Sequence, residues 1–289
     1  MNDRGARLRA LLEENRPVLA PACIDAFSAR MVEQAGFEVN YLTGNGASAA
    51  LLGKPDVGFM TLREVADVCR NIVQATSIPL IADADTGYGN AVNMVRTVRE
   101  LESAGVACIQ IEDQVTPKKC GFLPGSIPVI SLEEQLGKLK AALDTRQSEN
   151  FLILARTDAA ADHGLDEAIR RAVAYKEAGA DLTFIEVEGT EEELREIGAE
   201  VPPPHVTTLD ESRREAALSV DELGELGFGV IIYPGIVRCT YLKAVNDVLR
   251  ILKEEGSTRS AREMMATFQE YNDALGISEV QAWEREYLG

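Results

Sequence analysis

The feature that most constrains this fold is an alternation of strand-like and helix-like segments that repeats eight times within 289 residues. Short apolar runs, typical of buried parallel strands, alternate with longer segments whose apolar residues recur at helical spacing. Several predicted helices end in Ala-Gly or Leu-Gly directly before the next strand, and glycine there permits the left-handed backbone that ends a helix. Eight such units predict a closed (β/α)₈ barrel, and an open doubly wound sheet is the alternative.

The predicted strands are 18–23, 39–43, 79–83, 107–113, 151–157, 182–187, 205–209 and 230–233. The helices predicted between and after them are 26–34, 62–75, 91–103, 132–145, 166–177, 191–198, 220–225 and 236–254, and an amphipathic helix over 3–14 precedes the first strand. The C-terminal residues also have a helical pattern, with apolar stripes beyond those that eight units need. We therefore divide the chain into a barrel with its N-terminal helix, residues 1–255, and a helical tail, residues 256–289, that packs on the barrel or on a neighbouring subunit.

Composition narrows the classes of partner and the compartment. The chain is 46% hydrophobic, and its formal net charge of −18 disfavours nucleic acid and anionic membrane surfaces, which bind clustered Lys and Arg. Its five cysteines are odd in number and form no CxxC pair, which predicts reduced thiols. The N-terminal residues lack the apolar core of a signal peptide, and no segment approaches the length of a membrane span. We expect a cytoplasmic protein.

The segment 81–89, Ile-Ala-Asp-Ala-Asp-Thr-Gly-Tyr-Gly, places two carboxylates where an apolar strand gives way to glycines. In an extended chain alternate side chains share a face, so Asp83 and Asp85 are expected to point the same way. Two adjacent buried carboxylates are costly unless a cation lies between them, and Mg²⁺ suits such an all-oxygen environment. The alternative is that one Asp caps the following helix while the other is solvated.

The same end of the predicted barrel collects further polar residues, as a barrel enzyme requires. Thr43, Glu112, Arg156 and Glu186 lie at or near the ends of four other predicted strands. Glu112 is expected to join the metal site through a bound water, or else to be a loop-facing acid. The loop after the fourth strand carries Cys120 behind two lysines, whose charge favours a thiolate that exchanges protons near neutral pH. A surface lysine pair beside an inert cysteine is the alternative.

Together these residues resemble the isocitrate lyase/phosphoenolpyruvate mutase superfamily. The segments that carry the resemblance are Tyr41-Leu-Thr-Gly44, Lys54-Pro-Asp56, Ala82-Asp-Ala-Asp-Thr-Gly-Tyr-Gly89, Ile111-Glu-Asp-Gln114, Lys118-Lys-Cys-Gly121 and Ala155-Arg-Thr-Asp158. Their order and spacing match from the N-terminal helix to about residue 254. The resemblance implies an α/β barrel whose last helix is exchanged with a neighbouring subunit, usually in a tetramer.

The resemblance also implies a role for each site residue. Mg²⁺, or Mn²⁺ in its place, would bind at Asp83, with Asp85 and Glu112 contributing mostly through water. An α-keto acid or its enolate would chelate the metal, Arg156 would pair with a substrate carboxylate, and Cys120 would donate a proton from a loop that closes over the site. The other implied residues are Asp56, Lys119 and Glu186 for catalysis and Tyr41, Thr43, Gly44, Asn45, Gly121, Phe122 and Thr208 for substrate binding.

Three positions depart from the pattern of lyases in this superfamily. Phe122 stands where they usually have His, Thr208 aligns with their usual Asn at the seventh strand, and Thr43 replaces a more usual Ser. The first two changes remove polar contacts at places where substrates differ. We therefore expect specificity to have moved away from tricarboxylates toward a smaller or more apolar group, as in an alkyl-substituted malate.

The leading interpretation is a Mg²⁺-dependent carbon–carbon lyase of the methylisocitrate or dimethylmalate lyase type. It would cleave a substituted 2-hydroxy di- or tricarboxylic acid to an α-keto acid and a second carboxylic acid. The alternatives are phosphorus–carbon chemistry of the phosphoenolpyruvate or carboxyphosphoenolpyruvate mutase type, and an oxaloacetate decarboxylase or hydrolase. A non-catalytic keto-acid-binding barrel would explain the lost His and Asn, but not the intact metal and cysteine residues. We expect a homo-oligomer, a tetramer, that acts on a small molecule.

Overall fold

Eight parallel strands close into a barrel within the residues that the computed structural model describes, which are 3–14, 16–121, 123, 125–210 and 216–289. The strands are β1 (Val18–Cys23), β2 (Asn40–Leu42), β3 (Leu80–Asp83), β4 (Cys108–Glu112), β5 (Leu152–Thr157), β6 (Leu182–Ile185), β7 (His205–Thr208) and β8 (Phe228–Tyr233). Each strand pairs with the next in chain order, and β8 pairs with β1 to close the sheet. The predicted (β/α)₈ barrel is confirmed, and the open-sheet alternative is wrong.

Helices surround this sheet and continue beyond it. They are α1 (Arg4–Leu12), α2 (Ala26–Gln34), α3 (Gly44–Leu52), α4 (Leu62–Ala75), α5 (Ala91–Ser103), α6 (Leu132–Thr145), α7 (Ala160–His163), α8 (Leu165–Glu177), α9 (Glu191–Glu200), α10 (Val220–Glu225), α11 (Ile236–Glu255), α12 (Phe268–Ala274) and α13 (Ile277–Tyr287), with a 3₁₀ helix at Arg259–Met264. Sequence analysis missed α3 and α7. The α3 sequence contains two glycines and lacks an amphipathic pattern, and α7 is a single turn.

The N-terminal helix α1 closes one end of the barrel. Its Leu8 and Leu11 are buried in the same apolar cluster as Val18 and Leu152 from the strands. The helix approaches the loop before β5 so closely that a Cβ on Gly5 would lie 1.9 Å from a backbone carbonyl oxygen. Because α1 fills the N-terminal end, the opposite end, where the strands finish, is the one available for a site.

The C-terminal helices contact the barrel unevenly. No residue of α11 is buried, although the helix contains twenty residues. In contrast, α12 lies against α2, where the rings of Tyr271 and Phe27 meet edge to face at 5.7 Å. Arg30 and Gln34 of α2 both donate hydrogen bonds to the carbonyl oxygen of Ala274. The domain division at residue 255 and the exchange of the last barrel helix remain predictions.

Two expectations from composition can be compared with the structure. All five cysteines lie in the described part of the chain, and none of them forms a disulfide, as predicted. Among the described helices, none has the length and apolar character needed to cross a membrane.

Candidate active site

A cavity at the C-terminal end of the barrel gathers most of the residues predicted for the site. The predicted residues that line it are Tyr41, Thr43, Asn45, Asp56, Asp83, Glu112, Lys119, Cys120, Gly121, Arg156, Glu186 and Thr208. Gly44 and Asp85 are buried next to the cavity, where they contact Asp83 and Lys118 respectively. Phe122 falls outside the described residues. The structure therefore brings together, at one strand edge, side chains that come from five strands and their loops.

The two aspartates of the 81–89 segment meet, but not by strand alternation. Strand β3 ends at Asp83, and Asp85 has a left-handed backbone with φ of 48°, so the expectation of an extended chain through both residues is wrong. Asp83 accepts hydrogen bonds from the backbone amides of Asp85, at 3.0 Å, and Gly44, at 3.3 Å. A Cβ on Gly44 would lie 2.8 Å from Asp83 Oδ2 and 3.3 Å from Asp85 Oδ1. Glycine at the start of α3 thus leaves room for both carboxylates.

Four buried carboxylates, those of Asp56, Asp83, Asp85 and Glu112, surround the buried ammonium of Lys118. The Lys118 Nζ atom lies 2.7 Å from Asp56 Oδ2 and 2.9 Å from Asp85 Oδ1. Burial lowers the pKa of Lys118, but the carboxylates, Asp85 first, outweigh burial and raise that pKa well above its ordinary value. Lys118 is therefore protonated at neutral pH and provides the counter-charge that the acidic residues need.

The donor chemistry of this cluster suits a hard divalent cation. All of the acidic donors are oxygens, which Mg²⁺ prefers. The Oε1 atom of Glu112 is buried and has no hydrogen-bond partner among the described residues. Burial also raises the pKa of the Glu112 carboxyl well above its ordinary value, a cost that a nearby cation would offset.

The described side chains nevertheless contain no preformed group of three or more Asp, Glu, His or Cys residues able to hold a metal ion. The ammonium of Lys118 lies beside Asp56 and Asp85 instead. Mg²⁺ commonly binds through one or two carboxylates and keeps several waters, so this arrangement is compatible with a metal held mainly by Asp83. The ligand set Asp83, Asp85 and Glu112 remains a prediction.

Arg156 provides a buried positive charge on the opposite side of the cavity. It lies next to Glu112 in the register of β4 and β5. Its guanidinium donates two hydrogen bonds to Asp158, at 2.9 and 2.6 Å, and lies 3.3 Å from Glu186 Oε2. The guanidinium carbon also lies 5.1 Å from the centre of the Phe184 ring. These contacts fix the plane of a group that recognises carboxylates in a two-point geometry.

The loop that carries Cys120, residues 115–128, covers this cavity and is called the Cys120 loop below. The side-chain amide of Asn45 lies 3.6 Å from Cys120 Sγ, and the Cys120 amide donates to the Asp56 carbonyl oxygen at 3.1 Å. A Cβ on Gly121 would lie 3.2 Å from Glu186 and 3.4 Å from Arg156, so the backbone itself forms part of the wall. Lys119, in contrast to Lys118, is exposed at the rim of the cavity.

The remaining predicted residues occupy the floor and the far wall. Tyr41 is buried inside the barrel, where its hydroxyl donates to Gln110 Oε1 at 3.1 Å. Thr43 is buried immediately after β2, and Thr208, the last residue of β7, is half-buried beside Ile232 of β8. The wall at Thr208 is therefore formed by a short hydroxyl side chain and aliphatic neighbours.

Sequence analysis missed three residues that the structure places at the site. Lys118 was named only as part of a motif, although it is the buried lysine of the pair. Asp158 anchors Arg156, and Arg238 of α11 lines the cavity with its guanidinium 3.4 Å from Asp210. Adjacent lysines, or an Asp two residues after an Arg, do not reveal which side chain turns inward. Arg238 could have been suspected, because an anionic ligand in a chain of net charge −18 needs local positive charge.

Comparison with known proteins gives three relevant matches. The family model described as phosphoenolpyruvate phosphomutase matches residues 8–253. The 2,3-dimethylmalate lyase of Eubacterium barkeri is 45% identical over 98% of this chain and 97% of its own length. The chloroplastic carboxyvinyl-carboxyphosphonate phosphorylmutase of Arabidopsis thaliana is 42% identical over 97% of this chain and 84% of its own.

Among solved structures, phosphonopyruvate hydrolase in complex with oxalate and Mg²⁺ superposes on this chain with a TM-score of 0.89. The two sequences are 30% identical, and the match covers 99% of each chain. The barrel and its strand-end cavity are thus shared with proteins that bear the names of a lyase, a mutase and a hydrolase.

Proposed function

Because the chain belongs to the isocitrate lyase/phosphoenolpyruvate mutase superfamily, we propose that it is a Mg²⁺-dependent carbon–carbon lyase. Its substrate would be a substituted 2-hydroxy dicarboxylic acid, an alkyl-substituted malate, and its products an α-keto acid and a second carboxylic acid. The 45% identity to a 2,3-dimethylmalate lyase supports this choice within the superfamily.

The observation that carries the proposal is the shared cavity of three chemically distinct groups. The Cys120 thiol, the Arg156 guanidinium and the Asp83–Glu112 carboxylates all line it. A thiol can deliver a proton, a guanidinium can bind a carboxylate, and carboxylates can hold a divalent cation. Phe122 and Thr208, in place of the usual His and Asn, support a less polar leaving group.

Cleavage of such a 2-hydroxy acid breaks the bond between C2 and C3. The hydroxyl proton passes to a base, C2 becomes the carbonyl carbon of the α-keto acid, and the electron pair moves to C3 as the enolate of the second acid. A proton delivered to C3 then completes that acid. The site must therefore bind a carboxylate, stabilise developing negative charge and hold a proton near C3.

The chain has a residue for each of these tasks. Arg156 would bind the substrate carboxylate, and Cys120, oriented by Asn45, would give its thiol proton to C3. Asp56 is our candidate to accept the hydroxyl proton, because burial raises the pKa of its carboxyl and makes it a stronger base. Bound at Asp83, Mg²⁺ would stabilise the charge on the oxygens of the keto acid.

Phosphorus–carbon mutase chemistry is the second candidate, favoured by the match to the phosphoenolpyruvate phosphomutase family model. Transfer of a phosphoryl or carboxyphosphonyl group needs the same metal and anion-binding groups, but it does not need a proton at C3. The dependence of turnover on Cys120 therefore separates the two candidates. An oxaloacetate decarboxylase or hydrolase remains a third candidate, for which the products differ.

A turnover screen tests the function directly. We would incubate the protein and Mg²⁺ with dimethylmalate, isocitrate, 2-methylisocitrate, oxaloacetate and phosphonopyruvate, and measure the 2-oxo acids released. We expect pyruvate from dimethylmalate, with kcat/KM at least about a hundredfold above that for either tricarboxylate. Efficient cleavage of a tricarboxylate would contradict the proposed specificity. In that case Phe122→His/Thr208→Asn should no longer favour it further.

A single substitution then tests the role of the thiol. Cys120→Ala should lower kcat by about a hundredfold or more while changing KM little, because proton delivery matters in the transition state. Cys239→Ala, which removes another half-buried thiol outside the cavity, should leave kcat within about twofold. Full turnover by Cys120→Ala would move the choice to mutase or decarboxylase chemistry.

We propose further that the protein works as a homotetramer in the cytoplasm. Support for self-association comes from α11, which buries none of its residues within one chain. The helical tail, residues 256–289, would cover part of the barrel through α12 and part of a neighbouring subunit.

A further inference from the structure

We propose that Gln114 is a positioning residue that holds Cys120 over the cavity by clamping the backbone of Lys119. Gln114 follows β4 by two residues and lies at the base of the Cys120 loop, where it forms an isolated antiparallel bridge with Val129. The inference rests on the proposed role of Cys120 as proton donor, and it adds the device that keeps the thiol in place.

The clamp consists of two hydrogen bonds to one residue. Gln114 Nε2 donates to the Lys119 carbonyl oxygen at 2.9 Å, and Gln114 Oε1 accepts from the Lys119 amide at 2.8 Å. The side chain is 2% exposed, so neither bond competes with bulk water. A primary amide is the neutral side chain that offers a donor and an acceptor side by side, which is what one backbone residue requires.

The clamp acts on the peptide that leads into Cys120. One bond holds the peptide plane before Lys119, and the other holds the plane between Lys119 and Cys120. On the far side, the Cys120 amide is held by the Asp56 carbonyl oxygen at 3.1 Å. With both adjoining peptide planes fixed, Cys120 Sγ stays 3.6 Å from Asn45 Nδ2 and faces the cavity.

Polar contacts, rather than apolar packing, hold this part of the loop. The side chains of Val115 and Leu123, on either side of Cys120 in the sequence, are 41% and 40% exposed. The ion pairs of Lys118 with Asp56 and Asp85 are a second attachment, but they involve residues whose charges also face the predicted metal site. The Gln114 clamp is neutral and therefore holds the loop independently of that charge balance.

The clamp makes a prediction about the accessibility of the thiol. Loss of two buried hydrogen bonds should increase the open population of the loop by roughly tenfold to a hundredfold. We would treat Gln114→Met with iodoacetamide, with and without Mg²⁺ and oxalate, and measure alkylation of Cys120 by peptide mass spectrometry. Cys239 in the same sample is the internal reference, because it lies outside the loop.

Gln135→Met is the matched control. Gln135 is as deeply buried as Gln114, but neither of its amide atoms has a hydrogen-bond partner among the described residues. We expect Cys120 alkylation to rise at least about tenfold in Gln114→Met and to stay at the wild-type rate in Gln135→Met. With the best substrate, kcat should fall more than KM changes, because a displaced thiol mainly affects proton delivery.

An unchanged Cys120 alkylation rate in folded Gln114→Met would overturn the inference. The readout does not need turnover, so it stands even if the chain proves to be a mutase or a decarboxylase. If Gln114→Met does not fold, the clamp can be opened from its exposed side. Lys119→Pro removes the backbone donor, whereas Lys119→Ala keeps it, so faster alkylation only in Lys119→Pro would support the clamp, and equal rates would overturn it.

Discussion

The ammonium of Lys118 sets the charge balance of the site at the scale of single residues. Its ion pairs with Asp56 and Asp85 link the Cys120 loop to the same acidic cluster that is predicted to hold Mg²⁺. The sequence predicted the acidic residues correctly because strand ends and glycines identify them. It did not identify the buried lysine of the pair 118–119, because side-chain direction in an irregular loop depends on tertiary contacts.

The first prediction concerns the metal ligand. Asp83→Ala should weaken Mg²⁺-dependent oxalate binding by at least about a hundredfold, because the other carboxylates are expected to act mostly through water. Titration calorimetry with oxalate, at saturating and at zero Mg²⁺, measures this. Asp144→Ala, which removes an exposed acid paired with Lys140, is the control and should bind oxalate normally. Normal binding by Asp83→Ala would remove Asp83 from the metal site.

His205 illustrates a buried ionisable residue with a different consequence. It begins β7, is 1% exposed, and neither ring nitrogen has a hydrogen-bond partner within the described residues. Its ring packs edge to face against Phe228 with centres 5.3 Å apart. Burial, with a smaller contribution from Lys176, lowers the pKa of His205 to about 4. The imidazole is therefore neutral in the folded protein at every pH above that value.

The second prediction follows from this lowered pKa. Below the ordinary His pKa of about 6.5, the unfolded chain binds a proton that the folded chain does not accept until about pH 4. The stability contributed by neutral His205 is thus complete above pH 6.5 and is lost as the pH falls toward 4. By pH 5 the loss should be about 2 kcal/mol.

Urea unfolding at pH 7.5 and pH 5.0 measures this loss. His205→Leu should lose about 2 kcal/mol less than the wild-type protein between the two pH values, whatever its stability at pH 7.5. His163→Gln, which replaces the other, exposed histidine, should retain the wild-type dependence. Parallel pH dependence in His205→Leu and wild type would show that His205 is not responsible.

At the scale of elements, Asp113 joins the ends of β4 and β5 to helix α8. Its carboxylate accepts from Thr157 Oγ1 at 2.7 Å, Arg171 Nη1 at 2.9 Å, the Tyr175 hydroxyl at 2.7 Å and the Asp158 amide at 3.0 Å. The network fixes the strand edge on which Glu112 and Arg156 stand side by side. A motif that looked catalytic, Glu112-Asp113-Gln114, thus divides its work among a site acid, a structural anchor and a loop clamp.

The third prediction tests that anchor. Asp113→Ala should reduce the free energy of unfolding by about 3–5 kcal/mol, because it leaves the buried Arg171 guanidinium without its carboxylate. Asp67→Ala, which breaks exposed pairs with Arg63 and Arg70, should change it by no more than about 1 kcal/mol. Urea unfolding at one protein concentration compares them. Equal effects of the two substitutions would show that the network contributes no more than surface pairs do.

Most elements were predictable from the sequence because strand and helix periods are strong where residues are buried on a fixed face. The β3 strand is instructive, since its apolar run was correctly located but its last extended residue is Asp83. The glycines that follow allow tight turns that periodicity does not describe, and they place Asp85 and Tyr88 in left-handed conformations. Helix α3 escaped prediction because its stability depends on the barrel rather than on its own pattern.

At the scale of the whole molecule, the two ends of the chain behave differently. Helix α1 buries Leu8 and Leu11 in the barrel and closes its N-terminal end. Helix α11, the eighth helix after a strand, leaves a stripe of apolar residues at i, i+3, i+7 and i+10 largely exposed. Of this stripe, Leu242 is 63%, Leu249 54% and Leu252 42% exposed. Exposed apolar stripes of this length mark contacts between proteins.

The last prediction is that this stripe is covered by another copy of the chain. Light scattering of the wild-type protein at micromolar concentration should give a multiple of 31.4 kDa, and we expect four copies. Leu242→Glu/Leu249→Glu places two charges within the apolar contact and should shift the mass toward the monomer, because burying an unpaired carboxylate costs several kcal/mol. Lys243→Gln/Lys253→Gln changes the net charge by the same two units on exposed positions of the same helix, and it should keep the wild-type mass. A monomeric wild-type protein, or a double Leu→Glu variant with unchanged mass, would contradict the assignment of this stripe to a subunit interface.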